Sequence, residues 1–297
     1  MPIVVNGTTL NNVDVGGVNI QKVYARQGET GTYVLVFEKG GVVTVAMWFG
    51  GNWKMNKIKS EIDTYFNTFN SALDLNPTKK VVIFPPACYL DYVKSKISSA
   101  LRSMVEVGIQ NISTEARGAY TGQISAQMAS DCGCTYALIG ESEVREYLGI
   151  TDNAVHNQVL LALSNNLKPV LCVGENLDVR EAGTSRAYIE NQLQEAIGTL
   201  SVSELERVII VYEPIWAMGT GKTCLPTDAN QMCGYIKEWL AYNWGQEYAE
   251  NIPVCFGGSA KPANINDFLA QPDVSGVNVS GVSLKPADFA EMINIAE

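Results

Sequence analysis

Five short stretches of this chain carry residue types that do chemistry. Asn52-Trp-Lys54 supplies an ammonium, Glu141-Ser-Glu143 two carboxylates and Glu213-Pro214 a third, while Gly257-Gly-Ser259 and Ser280-Gly281 are glycine-containing turns. A cation, three carboxylates and two turns whose backbone N–H groups can hold an anion suit a negatively charged small ligand. Taken singly, each has an ordinary reading as a solvated side chain or a tight turn. Their weight lies in joint placement, because each directly follows a Val/Ile-rich run. Metal chemistry is not expected. The seven cysteines (Cys88, Cys132, Cys134, Cys172, Cys224, Cys233 and Cys255) include no Cys-x-x-Cys pair. The one residue between Cys132 and Cys134 is too few for a metal knuckle. Reduced thiols in a cytoplasmic setting are the simpler account.

The elements that must position these residues alternate from Trp48 onward, short apolar runs with longer stretches of helical period. Eight runs stand near 46–50, 81–84, 105–109, 136–139, 169–173, 208–212, 253–256 and 276–279. Ile58, Ile62, Tyr65, Phe66, Phe69 and Leu73 form one helical stripe, and Val155, Val159, Leu160 and Leu163 another. Eight βα units predict an α/β chain closed into a (β/α)8 barrel, whose chemistry collects at the carboxyl ends of the strands. A doubly wound sheet would want a Gly-rich fingerprint after its first strand, and Gly50-Gly-Asn-Trp-Lys54 is not one.

Residues 1–43 fall outside this rhythm and are expected to form a short β-rich extension, with the barrel over 44–297. Asn6-Gly7, Gly16-Gly17, the Gly28–Gly31 stretch and Gly40-Gly41 punctuate short strands. Thr32–Phe37 is the best of these, with Val18–Gln21 its expected partner across the turn at 28–31. About forty residues cannot build an independent core without a metal or disulfide, so this segment should attach to another protein or assembly, or to the barrel.

Of 297 residues, 46% are apolar, and 21 Lys and Arg against 31 Asp and Glu leave a net charge of −10. That balance disfavours a nucleic-acid backbone or an anionic membrane surface as partner. No apolar run approaches the roughly 18 residues of a spanning helix, and the first residues do not read as a secretory signal.

Several motifs carry a resemblance: Gly50-Gly-Asn-Trp-Lys-Met-Asn56, Phe84-Pro-Pro86, Gln110-Asn111, Gly118-Ala-Tyr-Thr-Gly122, Cys172-Val-Gly-Glu175, Tyr212-Glu-Pro-Ile-Trp-Ala-Met-Gly-Thr-Gly-Lys222 and Gly257-Gly-Ser259. In this order, from about residue 46 to the C-terminus, the chain resembles the triosephosphate isomerase family. The resemblance implies a homodimeric barrel that interconverts dihydroxyacetone phosphate and glyceraldehyde 3-phosphate without metal or cofactor. It implies Glu213 as the base, Lys54 as the stabilising cation and Asn52 as support. Pro214–Lys222 would be a closing lid whose Gly219 N–H meets the phosphate. Gly257, Gly258, Ser259, Ser280 and Gly281 would clamp that phosphate, and Thr121 would reach a neighbouring subunit's site. Residues 1–43 resemble attachment modules of phage virion proteins, which implies a place in a virion.

Two departures stand inside the resemblance. The family reads Gly-His-Ser-Glu-Arg-Arg where this chain reads Gly140-Glu-Ser-Glu-Val-Arg145, so Glu141 replaces the polarising histidine. His156, the chain's single histidine, falls on a predicted helix and is no substitute. Ser280-Gly281 replaces Gly-Gly, adding a side chain where backbone must approach phosphate closely. An ionised carboxylate donates no hydrogen bond to an enediolate oxygen, although a protonated Glu141 could. The expectation is an impaired or inactive isomerase-like barrel serving as a structural or interaction module. The alternative is a working triosephosphate isomerase with Glu213 as base.

Overall fold

The computed structural model describes residues 46–218 and 220–296, together with the backbone of four strands before residue 39. The chain divides into two compact units, Met1–Thr44 and Val45–Glu297.

In the first unit, β1 (Ile3–Val5) pairs antiparallel with β2 (Thr8–Leu10), with Val5 opposite Thr8. β3 (Lys22–Gln27) pairs antiparallel with β4 (Thr32–Glu38), from Gln27 opposite Thr32 to Lys22 opposite Glu38, with an irregularity between Val23 and Tyr24. The expected partner strand is thereby corrected. Thr32–Phe37 pairs with residues next to the four-residue link, because so short a link fixes the register at its own ends. Residues 18–21 lie outside the described residues.

The second unit is a closed barrel of eight parallel strands in chain order, with the last pairing to the first. Its strands are β5 (Met47–Asn52), β6 (Lys79–Phe84), β7 (Val105–Ile109), β8 (Tyr136–Ile139), β9 (Lys168–Val173), β10 (Ile209–Tyr212), β11 (Val254–Gly257) and β12 (Gly276–Val279). The expected runs coincide with these strands to within two residues at either end. Successive side chains alternate between two cores, as strand geometry requires. Val82, Phe84, Leu138, Val170, Cys172 and Val211 belong to the inner cluster, while Val81, Ile83, Ile139 and Ile210 join the larger layer shared with the helices.

The helix Lys59–Ala72 buries Ile62, Tyr65, Phe66 and Phe69. Ile58 is exposed, because it stands at the N-cap before the helical period begins. Phe69 stacks on Phe289 of the last helix, Pro286–Ile295, at 5.8 Å, which joins the first and last helices of the barrel. Helix Asp152–Ser164 buries Val155, Val159 and Leu163 but leaves Leu160 exposed. One residue beyond Val159 the helix has turned about 100° away from the core.

Candidate active site

A cavity of about 610 Å³ opens among the carboxyl ends of the strands. Asn52, Lys54, Glu141 and Glu213 line one side of it. Gly257, Gly258, Ser259, Ser280 and Gly281 line the other. Strand geometry brings together residues up to 229 positions apart, because every parallel strand of a barrel ends at the same mouth.

Each acid-side residue is held locally. Lys54 adopts φ 50°, a left-handed conformation that costs a non-glycine residue about 1–3 kcal/mol. Two hydrogen bonds over-determine it: Lys54 N–H donates to Asn52 Oδ1 at 2.9 Å, and Gln110 Nε2 donates to the Lys54 carbonyl at 2.8 Å. The same Gln110 amide also reaches the Phe84 carbonyl at 2.9 Å, tying the ends of β5, β6 and β7 together. Gly140, at φ 71°, turns the chain out of β8. Glu141 follows as the N-cap of the helix Ser142–Leu148, its Oε2 accepting the Glu143 N–H at 2.8 Å. Glu213 leaves β10 and is almost wholly buried, at 5% exposure. Its Oε2 accepts the Ser142 N–H at 3.0 Å. Gly257 makes room for it, since a Cβ there would stand 2.9 Å from Glu213 Cγ.

The charges are unevenly shared. Lys54 Nζ contacts Glu143 Oε1 at 2.5 Å and Glu141 Oε1 at 3.2 Å. Burial opposes the lysine's charge, but the hydrogen bond to Glu143 and the fields of both carboxylates outweigh it and raise its pKa. Glu141, itself 4% exposed, faces an amide N–H and an ammonium, both donors, which is the bonding pattern of an ionised carboxylate. Glu213 is different. Burial first, and then the negative charge of Glu141, push its carboxyl up to about 8, with Lys54 offsetting only part of that. Around neutral pH Glu213 is therefore biased toward its neutral, protonated form. Cys172, fully buried beside them, is raised by burial and then by the charges of Glu213 and Glu141, so it stays a thiol.

Behind Glu213, Trp216 Nε1 donates to the Tyr212 hydroxyl at 3.1 Å, which donates to Glu175 Oε1 at 3.0 Å. Trp216 N–H also donates to the Glu175 carbonyl at 3.1 Å, and Arg180 lies over the indole at 4.0 Å. This network anchors the start of the stretch 214–222, and Lys222 pairs with Glu181 at 2.8 Å near its end.

Some expected site residues stand elsewhere. Gly219 lies outside the described residues. Glu143 does not line the mouth but grips Lys54 from beside it. Thr121 is exposed and lines a separate cavity of about 560 Å³ with Leu148. His156 is half-buried on its helix, with Nδ1 3.0 Å from the Ala196 carbonyl. Gln110 and Glu175 carry positioning roles that residue type and spacing alone did not assign. Both stand in quoted motifs directly after strands, which was the available signal. Among the described residues no three His, Cys, Asp or Glu are placed to hold a metal ion, and no helix is long and apolar enough to cross a membrane.

Fold and site together define a (β/α)8 barrel with a cluster of ionisable side chains and two glycine-containing turns lining one mouth. The triosephosphate isomerase family model matches residues 47–296. A triosephosphate isomerase of Caldanaerobacter subterraneus subsp. tengcongensis is 41% identical over 244 residues, covering 82% of this chain and 97% of that relative. One of Synechococcus sp. is 38% identical over 249 residues, covering 82% and 92%. Another, of Rhodopirellula baltica, is 38% identical over 246 residues, covering 83% and 96%. The chain belongs to the triosephosphate isomerase family. The family model begins at residue 47, and the comparisons lend no support to the virion resemblance of residues 1–43.

Proposed function

We propose that this protein is a triosephosphate-isomerase-type barrel that binds small phosphate esters at its mouth and isomerises them slowly or not at all. The observation that carries this reading is the state of Glu141. Its carboxylate accepts from the Glu143 amide and pairs with Lys54, so it has no proton to give to an enediolate oxygen. It also draws Lys54 into an ion-pair cluster with two carboxylates. Loss of one well-aimed donor costs about 10²- to 10³-fold in turnover. Burial of Glu213 as a neutral acid adds a second handicap, because a base must be ionised to take a proton.

The anion side supports retained binding. Gly257 ends β11 and Gly258 and Ser259 follow it, Ser280 and Gly281 follow β12, and all five line the cavity. A homodimer fits the exposed Tyr120, next to Thr121 in sequence, and the exposed Leu148, which lines its cavity. Residues 1–43 serve attachment to another protein or assembly in this reading, and the barrel is the module they carry.

A working isomerase is the second reading, favoured by retention of Glu213, Lys54 and the Tyr212–Trp216 network. A coupled assay of glyceraldehyde 3-phosphate conversion, alongside calorimetry with inorganic phosphate, separates the two. Phosphate binding with turnover restored only by Glu141→His supports the proposal. Turnover of the native chain matching that of Glu141→His overturns it.

A further inference from the structure

The mouth is asymmetric in a way that selects a ligand. Two carboxylates, Glu141 and Glu213, line the mouth beside the Lys54 ammonium, which Glu141 and, from beside the mouth, Glu143 already engage. Among the described residues no cation is ion-paired with Glu213. Its Oε2 accepts the Ser142 N–H, the Cys172 thiol also bonds it, and it lines the cavity while almost wholly buried. A ligand carbonyl brought here would present an acceptor to Glu141, another acceptor, and would have to share the Lys54 ammonium that Glu141 and Glu143 already hold. A ligand ammonium meets the opposite situation, since it donates to both buried carboxylates and cancels their excess charge. The same cavity is lined by the glycine-containing turns at 257–259 and 280–281 and by Lys261 and Lys285. The two sides are close: Gly257 of the cradle packs directly on Glu213. A chain of two or three carbons is the natural spacer.

Resting on the phosphate-binding reading above, we propose that the mouth takes a short aminoalkyl phosphate, with its phosphate on the glycine turns and its ammonium between Glu141 and Glu213. Such a ligand is a zwitterion matched end for end to a cavity that is anionic on one side and anion-binding on the other. Bringing a cation against Glu213 favours its ionised form, so a carboxyl held neutral by burial and by Glu141 gives up its proton as the ligand binds. Binding near neutral pH therefore releases a proton from Glu213 to buffer, over and above any that the phosphate group itself exchanges, and an ester without an amine should not provoke that Glu213 release.

The test is titration calorimetry of the full chain at pH 7 with inorganic phosphate, glycerol 3-phosphate and 3-aminopropyl phosphate, in two buffers of different ionisation enthalpy. The aminopropyl ester is expected to bind at least tenfold more tightly than glycerol 3-phosphate and to release up to one proton per site. Glu141→Gln and Glu213→Gln, checked for folding by circular dichroism, should each cut that preference severalfold. Glu213→Gln should also remove the part of the proton release that the aminopropyl ester provokes beyond glycerol 3-phosphate. Equal affinity for the two esters, or a buffer-dependent heat of the aminopropyl ester unchanged in Glu213→Gln, overturns the ligand assignment and leaves phosphate binding standing. Absence of binding by all three overturns both readings.

Discussion

The two sides of the barrel mouth contrast in what they ask of side chains. The anion side is built mainly of backbone: Gly257 packs on Glu213, the Gly258 N–H donates to the Asn278 carbonyl at 3.3 Å, and Gly281 lines the cavity with open space where a side chain would stand. The acid side is built of side-chain charge, and there one residue type changes the balance. With Glu141 in place of a neutral donor, Lys54 becomes the centre of a salt-bridge cluster and Glu213 becomes the neutral member of the set. A backbone cradle tolerates change elsewhere in the site, whereas a set of coupled ionisable groups redistributes its proton when a single member is replaced.

The sharpest way to break this contrast is Glu141→His. If the acid side alone is at fault, turnover of glyceraldehyde 3-phosphate should rise by about 10²- to 10³-fold, with inorganic phosphate affinity little changed. A gain below threefold would place a second fault on the anion side. Glu141→Gln separates charge from donation, since it removes the like charge but not the burial of Glu213. Burial is the larger cause of the raised carboxyl. A titration of Glu213 followed by carbon-labelled NMR should therefore shift down from about 8 and still end above its ordinary 4.5. Any residual isomerase activity of the native chain should rise with pH through about 8 as Glu213 ionises.

The same proton is visible in stability. A carboxyl whose folded pKa is raised keeps its proton in the native state after the unfolded chain has lost it. Its contribution is thus fully present below about pH 4.5 and fades as pH climbs toward about 8. Within that window this one group should lower unfolding free energy by about 1.4 kcal/mol per pH unit. Glu213→Gln should remove that slope in urea titrations between pH 5 and 8. An unchanged slope would mean that Glu213 is ionised throughout and that the acid side is less inverted than its geometry implies.

How far the site was legible follows from the same distinction. The strands and their order were readable because a parallel strand buried on both faces needs an unbroken Val/Ile-rich run, as in Val81–Phe84 and Val208–Tyr212. The position of each site residue came with the strand ends. The replacement at Glu141 was visible as a letter, but the location of the proton was not, because it depends on burial and on which donors face each carboxylate. Residue type left open whether Glu141 would face donors or acceptors, whereas the structure sets its oxygens against the Glu143 N–H and Lys54 and buries Glu213, which raises the Glu213 carboxyl. Gln110 hid for a similar reason, since its role is to bond three backbone and side-chain oxygens that only the closed barrel brings within reach.

The smallest effect is expected on the anion side itself. Ser280 is half-buried, adopts no left-handed backbone angle, and its carbonyl accepts the Ser283 hydroxyl at 2.7 Å, so the turn is held without strain. Its side chain nonetheless borders the cavity in which an anion would approach the Gly281 N–H. Ser280→Gly removes that obstruction at the cost of one hydroxyl and of extra freedom in the unfolded chain, about 0.5–1 kcal/mol of stability. Inorganic phosphate should bind severalfold more tightly, well short of the gain in turnover from Glu141→His. Weaker binding would show instead that the serine hydroxyl donates to the anion, and that the cradle, like the acid side, had come to depend on a side chain.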